Sequence, residues 1–137
     1  MSTPQHYTNN AIFTKVRSAV LAVVATANCT QTYTPTPTKW PTVFAREIGR
    51  LTPAQVVTFS NAQDYDERTW EVQIFSNLQT GAKEQAYKLR DAVVSAFKSM
   101  FFREYFESPE DSITGNNYYT LICRFRREIG SGETIPN

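Results

Sequence analysis

Near the end of the chain, Arg124-Phe125-Arg126-Arg127 brings three guanidiniums into four residues. On an extended backbone Arg124 and Arg126 point the same way, about 7 Å apart. That spacing suits the phosphates of a nucleic-acid backbone or the carboxylates of an acidic protein rim. An aromatic between arginines is also the texture of a single-strand binder, whose rings stack on bases. The plainer reading is a solvated sheet face that carries charge for solubility and to block edge pairing.

The other groups with chemical potential are sparse. The single histidine, His6, stands close to the start of the chain, so a histidine general base or metal cluster has little to build on. Asp64, Asp66 and Glu67 form one acidic group and Glu107, Glu110 and Asp111 another. The first lacks the glycine that a calcium loop needs at its sixth position, and neither is assigned a catalytic role. Cys29 and Cys123 fit no metal-binding spacing and read as reduced, small apolar residues, with a disulfide as the alternative. The nucleophile elbow, the Walker phosphate loop, the dinucleotide-binding glycines and the HExxH helix are all missing. The expectation is a protein without catalysis, cofactor or metal.

Composition agrees with a packed, unstapled domain. The chain has 137 residues, 41% hydrophobic, 13% aromatic and 20% charged, enough to bury roughly two-thirds of its unfolded surface. A net charge of +1 exerts no general pull on nucleic acid or membranes, so such contacts must come from local patches. The longest apolar run, Ala19 to Ala27, spans nine residues where a membrane helix needs about 20. The opening residues lack the basic and apolar regions of a signal peptide, and synthesis and folding in the cytoplasm are expected.

The elements that must position the arginines centre on Glu67 to Phe106. Trp70, Val72 and Ile74 alternate with Thr69, Glu71 and Gln73, the pattern of a half-buried strand. After Thr80 and Gly81, the residues Ala82, Ala86, Leu89, Val93, Ala96, Phe97 and Met100 make one apolar stripe on a long helix, which would lie on that strand's greasy face. Upstream, Thr8, Asn9 or Asn10 caps a helix carrying Ile12, Val16, Ala19, Val20, Val23 and Ala27. Its second half is apolar almost all round and predicts cover on more than one side, from its own sheet or a neighbouring subunit.

From Thr30 to Pro41, threonines alternate with Tyr33, Pro35, Pro37 and Lys39, predicting an extended arm. Trp40 to Ile48 reads as a strand ended by Gly49, and Gln55 to Phe59 as a further short one, with Asn61 to Glu67 as a solvated hairpin connection. Phe101 to Phe106 reads as the helix end plus a short extended piece, and Ser108 to Asn117 as a turn-rich loop. The last strand runs from Tyr118 to Glu128, with Tyr119, Leu121, Cys123 and Phe125 on one face and Thr120, Ile122, Arg124 and Arg126 on the other. Together these predict one α+β domain over residues 1–137, loose at about 1–8 and 130–137. Its antiparallel sheet would have about four strands, with two helices mainly on one face.

This layout resembles the tail terminator, or neck terminator, proteins of tailed bacteriophages. The resemblance is carried by the Trp70-Glu71-Val72-Gln73-Ile74-Phe75 strand, by Gly81-Ala82 with Ala86, Leu89 and Val93 on the helix after it, and by the closing strand Tyr119 to Phe125. A valine-rich first helix and a proline-bearing arm add to it, and it spans roughly residues 10 to 129. It implies a structural virion protein whose copies close into a ring, typically a hexamer, that caps the tail tube, stops its polymerisation and offers a surface to the head. The implied partners are further copies of the chain, the tail tube protein, a head-side connector or stopper, the sheath where a tail has one, and double-stranded DNA passing through the ring without sequence specificity. Membranes and cofactors have no part in it, and the implied location is the virion's tail or neck.

No residue-level motif comes with the resemblance, so candidate contacts rest on exposure and composition. Tyr33, Lys39 and Trp40 in the arm, and Asn116 and Asn117 in the loop, are candidates to reach a neighbouring subunit or the tube. Arg124, Arg126 and Arg127 are candidates for the lumen or an acidic partner rim. Three rivals stand beside this reading. One is another neck or tail part, such as a head completion or tube-joining protein; the second is a small nucleic-acid-binding module using Tyr118, Phe125 and the arginines as its stacking surface; the third is an enzyme built on a carboxylate site.

Overall fold

The computed structural model describes residues 6–32, 37–51, 65–110, 118–130 and 133–136. Helix α1 (Asn9–Val23) is followed by strands β1 (Asn28–Thr30), β2 (Thr42–Leu51) and β3 (Tyr65–Ser76), helix α2 (Ala82–Ser99), and strands β4 (Arg103–Glu110) and β5 (Tyr119–Gly130). The strands form one sheet in the order β1-β2-β3-β5-β4. Every pairing is antiparallel except that of β1 with β2, which is parallel. The expected α+β class is therefore present, and among the described residues the sheet has five strands, because both of its edges read differently in sequence. β1 is only three residues long, and β4 takes in residues read as a helix end and the start of a loop.

Period-2 alternation decides which face is which. Val43 and Ala45 on β2, Trp70, Val72 and Ile74 on β3, and Leu121, Cys123 and Phe125 on β5 are all buried. They share one core with Ile12, Val16 and Val20 of α1 and Leu89, Val93 and Phe97 of α2, so both helices cover the same side of the sheet. Burying each such side chain contributes about 1.5–3 kcal/mol. Phe97 sits at the centre, stacked on Phe125 at 4.3 Å, tilted against Trp70 at 6.1 Å and edge-on to Phe102 at 5.1 Å.

The helix ends follow local chemistry. The Thr8 side chain accepts a hydrogen bond from the backbone N–H of Ala11 at 3.1 Å, satisfying one of the free donors of α1's first turn. Gly81 precedes α2 with φ of 86°, a left-handed conformation that a residue without Cβ adopts at little cost. After α2 comes Phe101 with φ of 66°, where a side chain costs about 1–2 kcal/mol. We expect Phe101→Gly to raise the urea midpoint by an amount equivalent to about 1 kcal/mol; a lower midpoint would mean that the ring's contacts outweigh the strain.

Several expectations need correction. Asp66 and Glu67 belong to β3, which begins at Tyr65, inside the connection expected over Asn61 to Glu67. β2 continues past Gly49 to Leu51 because the register shifts between Glu47 and Gly49, a bulge that absorbs Ile48. Within the end segments expected to be loose, the described residues pack: Tyr7 is 6% exposed and Ile135 5%, and His6 and Thr134 form an isolated antiparallel bridge. Among the described residues the end of α1 is covered on one side, where Val20 is buried, and Val23 is 40% exposed. The Gln55 to Phe59 strand, Asp64 and Asp111 lie outside the described residues.

Candidate functional site

The three arginines of β5 divide between the two faces of the sheet. Arg124 and Arg126 point away from the helices, as their alternation requires. Arg127 falls on the core side with Phe125 and Ile129. There its guanidinium donates to the Met100 carbonyl at 2.9 Å and to the Glu133 carboxylate, and lies over the rings of Tyr7 and Phe101. Arg127 therefore does not share the outward face of Arg124 and Arg126: it ties α2's end and the terminal segments to β5.

Arg124 is held from two sides. Its Nε donates to Glu71 at 2.9 Å, and Arg46 approaches the same carboxylate at 3.8 Å. Arg46, Glu71 and Arg124 are directly paired across β2, β3 and β5, so a single buried acid joins two half-exposed cations on the outer face. Burial pushes the Glu71 carboxyl up, but hydrogen bonds from Gln73 and Arg124 and the charges of Arg124 and Arg46 outweigh it, leaving the group below the ordinary carboxylate range. A depressed folded value means stabilisation that is complete above the unfolded value of about 4.3 and fades as pH falls through the folded one. We therefore expect the gap in urea midpoint between wild type and Glu71→Gln to be widest near neutrality and to close on acidification; a gap that widens in acid would reverse the sign.

The guanidinium of Arg124 lies 4.7 Å from the Phe106 ring centroid, and that of Arg126 lies 5.0 Å from Tyr105. Arg126 thus lies toward β4, while Arg124 spans from Glu71 on β3 to Phe106 on β4. Arg103 is the cross-strand neighbour of Arg126, and Arg103, Arg126 and Arg127 line an open cleft of about 490 Å³ with Glu67 and Glu128. Among the described residues, no carboxylate lies within ion-pair distance of Arg103 or Arg126. Arg46, Arg103, Tyr105 and Phe106 were not singled out in sequence; the run Phe101 to Phe106 was the available signal, obscured by the register shift between Glu104 and Phe106.

The remaining candidates scatter. Lys39 is exposed. Trp40 is half-buried, with its ring 5.3 Å from that of Tyr118, which in turn stands 6.0 Å from Phe75. Phe125 is 1% exposed and stacked inside the core, so it offers no face to a base. Tyr33, Asn116 and Asn117 lie outside the described residues.

A second cluster sits beside the core. Glu104, Glu107 and Cys123 bring their ligand atoms within 4.8 Å of one another, but Arg90 of α2 reaches both carboxylates, at 3.3 and 2.5 Å. The arrangement is an ion-paired clamp between α2 and β4. Burial, reinforced by the charges of Glu104 and Glu107, pushes the Cys123 thiol up. Burial likewise raises Cys29 to about 12, against the charge of Arg17. Both cysteines are free and neither is poised as a thiolate nucleophile.

No protein-family model matches the sequence, and no curated protein matches it. Among solved structures, the fold is similar to a chain of the virion of a native gene transfer agent particle, with a TM-score of 0.62 at 11% identity, covering 92% of this chain and 100% of that one. No helix among the described residues is long and apolar enough to cross a membrane.

Proposed function

We propose that this chain is a structural protein of a phage-like virion and that it acts as a tail terminator, closing into a ring, probed first as a hexamer, on the end of the tail tube. The observation that carries this reading is the likeness in fold to a whole chain of a gene transfer agent virion. It meets independently the resemblance in layout to tail terminators drawn from the sequence. In this role the protein transforms no substrate. Its polar side chains do structural work: Arg68, Arg90, Arg124 and Arg127 each join separate elements through carboxylates or carbonyls. A contact between unlike surfaces that closes into a ring ends growth, whereas the same kind of contact repeated along an axis would continue it.

Particle assembly would take place in the host cytoplasm, with the tail tube protein, a head-side connector and any sheath as partners and with DNA passing through the ring. Deletion of the gene tests the role. Tails of uncontrolled length and heads that never join them are the expected result. Tails of normal length would reject termination, and normal tails beside unjoined heads would move the protein to a head-completion role.

A further inference from the structure

The edge of the sheet beside Arg103 and Arg126, unpaired among the described residues, carries more than a solvated margin requires. We infer that the outer edge of β4 receives an extended, acidic segment of another protein of the particle, added to the sheet as a further strand. This deepens the assembly role proposed above and rests on it. β4 is the terminal strand beyond β5, and among the described residues nothing pairs with its outer side. Every second N–H and C=O along it therefore points away from β5 toward an incoming chain. Pro109 has no N–H to give, which makes Arg103 to Ser108 the receiving stretch.

Side chains concentrate at the same edge. Tyr105 and Phe106, at 40% and 39% exposure, are two of the six large hydrophobic residues left exposed among the described residues. Arg124 and Arg126 lean over Phe106 and Tyr105, and Arg103 stands beside them without a carboxylate partner. Exposed aromatics under arginines match the composition of protein interface cores. Added carboxylates on alternate residues, about 7 Å apart, would match the repeat of these cations.

The same features disfavour nucleic acid as the occupant. Glu67 and Glu128 line the cleft with the arginines and interrupt its positive charge; a peptide can set its carboxylates opposite the arginines alone, whereas a phosphate backbone carries charge at every unit. A duplex backbone also offers nothing apolar to bury the exposed rings.

The test titrates the full-length protein with a short fluorescent peptide carrying Asp at alternate positions between Val and Thr. Its counterpart with Lys for Asp, and a DNA duplex of equal charge, are run at the same salt. The acidic peptide should bind and slow amide exchange in β4. The double variant Arg103→Glu/Arg126→Glu, with folding checked by circular dichroism, should weaken it about tenfold or more and transfer preference to the Lys peptide. Absence of binding at millimolar peptide, equal binding by both proteins, preference for DNA, or protection at β1 in place of β4 would each overturn the inference. Self-association that blocks the peptide and vanishes in the double variant would reassign the edge to a second copy and overturn it too. Light scattering on the same samples separates this from the ring itself: rings without peptide binding sink only the β4 assignment, and a monomer that binds peptide sinks only the ring.

Discussion

Replacing Arg68 with methionine is expected to lower the stability of the fold by about 3–5 kcal/mol, the usual consequence of orphaning one member of a buried ion pair. Arg68 is 4% exposed. Its guanidinium donates to the Tyr7 carbonyl, to the Asn9 side-chain oxygen, and to Glu47 Oε2 at 3.0 Å. One side chain thus joins the segment before α1 to β3 and β2. Without it, Glu47 loses its buried counter-charge and the Tyr7 carbonyl its donor. Burial pushes the Glu47 carboxyl up while Arg68 and Arg50 pull it down, with a net value below the ordinary range; without Arg68 the carboxyl should move upward. Thermal unfolding provides the check, at roughly 3–5 °C per kcal/mol for a domain of this size. Adding Glu47→Leu should recover part of the loss, because an apolar pair leaves no stranded charge. A single variant within about 0.5 kcal/mol of wild type would mean that water reaches the pair.

Phe97→Ala is the second large effect, expected at about 3–5 kcal/mol. The side chain is fully buried and meets Trp70, Phe102 and Phe125 at once, so its removal opens a cavity between α2 and the sheet that rigid rings cannot fill. Phe97→Leu keeps most of the volume and should cost less than half as much. Chemical denaturation of the two variants measures the difference; equal losses would show that ring stacking, and not filled volume, sets the value.

The centre of the domain was legible in sequence and its edges were not. β3 and α2 announce themselves because Trp70, Val72 and Ile74 keep the strand period and Leu89, Val93 and Phe97 the helix period, each set facing one core. The same alternation placed Arg124 and Arg126 outward. β4 was obscured because the register shift at Tyr105 breaks the alternation of Phe101 to Phe106, and because Pro109 belongs to a turn-like composition. β1 was missed because three residues carry no period, and its partner Thr42–Phe44 is reached only across the arm.

The candidate site suffered from the same limits. Arg127 was grouped with its neighbours in sequence, although period 2 assigns it to the face of Phe125 and Ile129. Glu71, the acid that joins Arg46 to Arg124, looked like an ordinary solvated residue on an outward face. Its importance comes from cross-strand pairing, which no local window contains. Trp40 was read as part of a reaching arm, yet it packs on Tyr118, a residue far along the chain. The termini read as loose because Tyr7 and Ile135 are isolated apolar residues whose partners are distant in sequence.

The measurement that bears most directly on the central claim is the mass of the purified full-length protein by light scattering over a range of concentrations, followed by particle images. The account predicts closed rings with a mass a small multiple, about six, of the 15.6 kDa chain, either alone or once tail tube ends are supplied. A protein that stays monomeric at every concentration and in the presence of tube ends would contradict it.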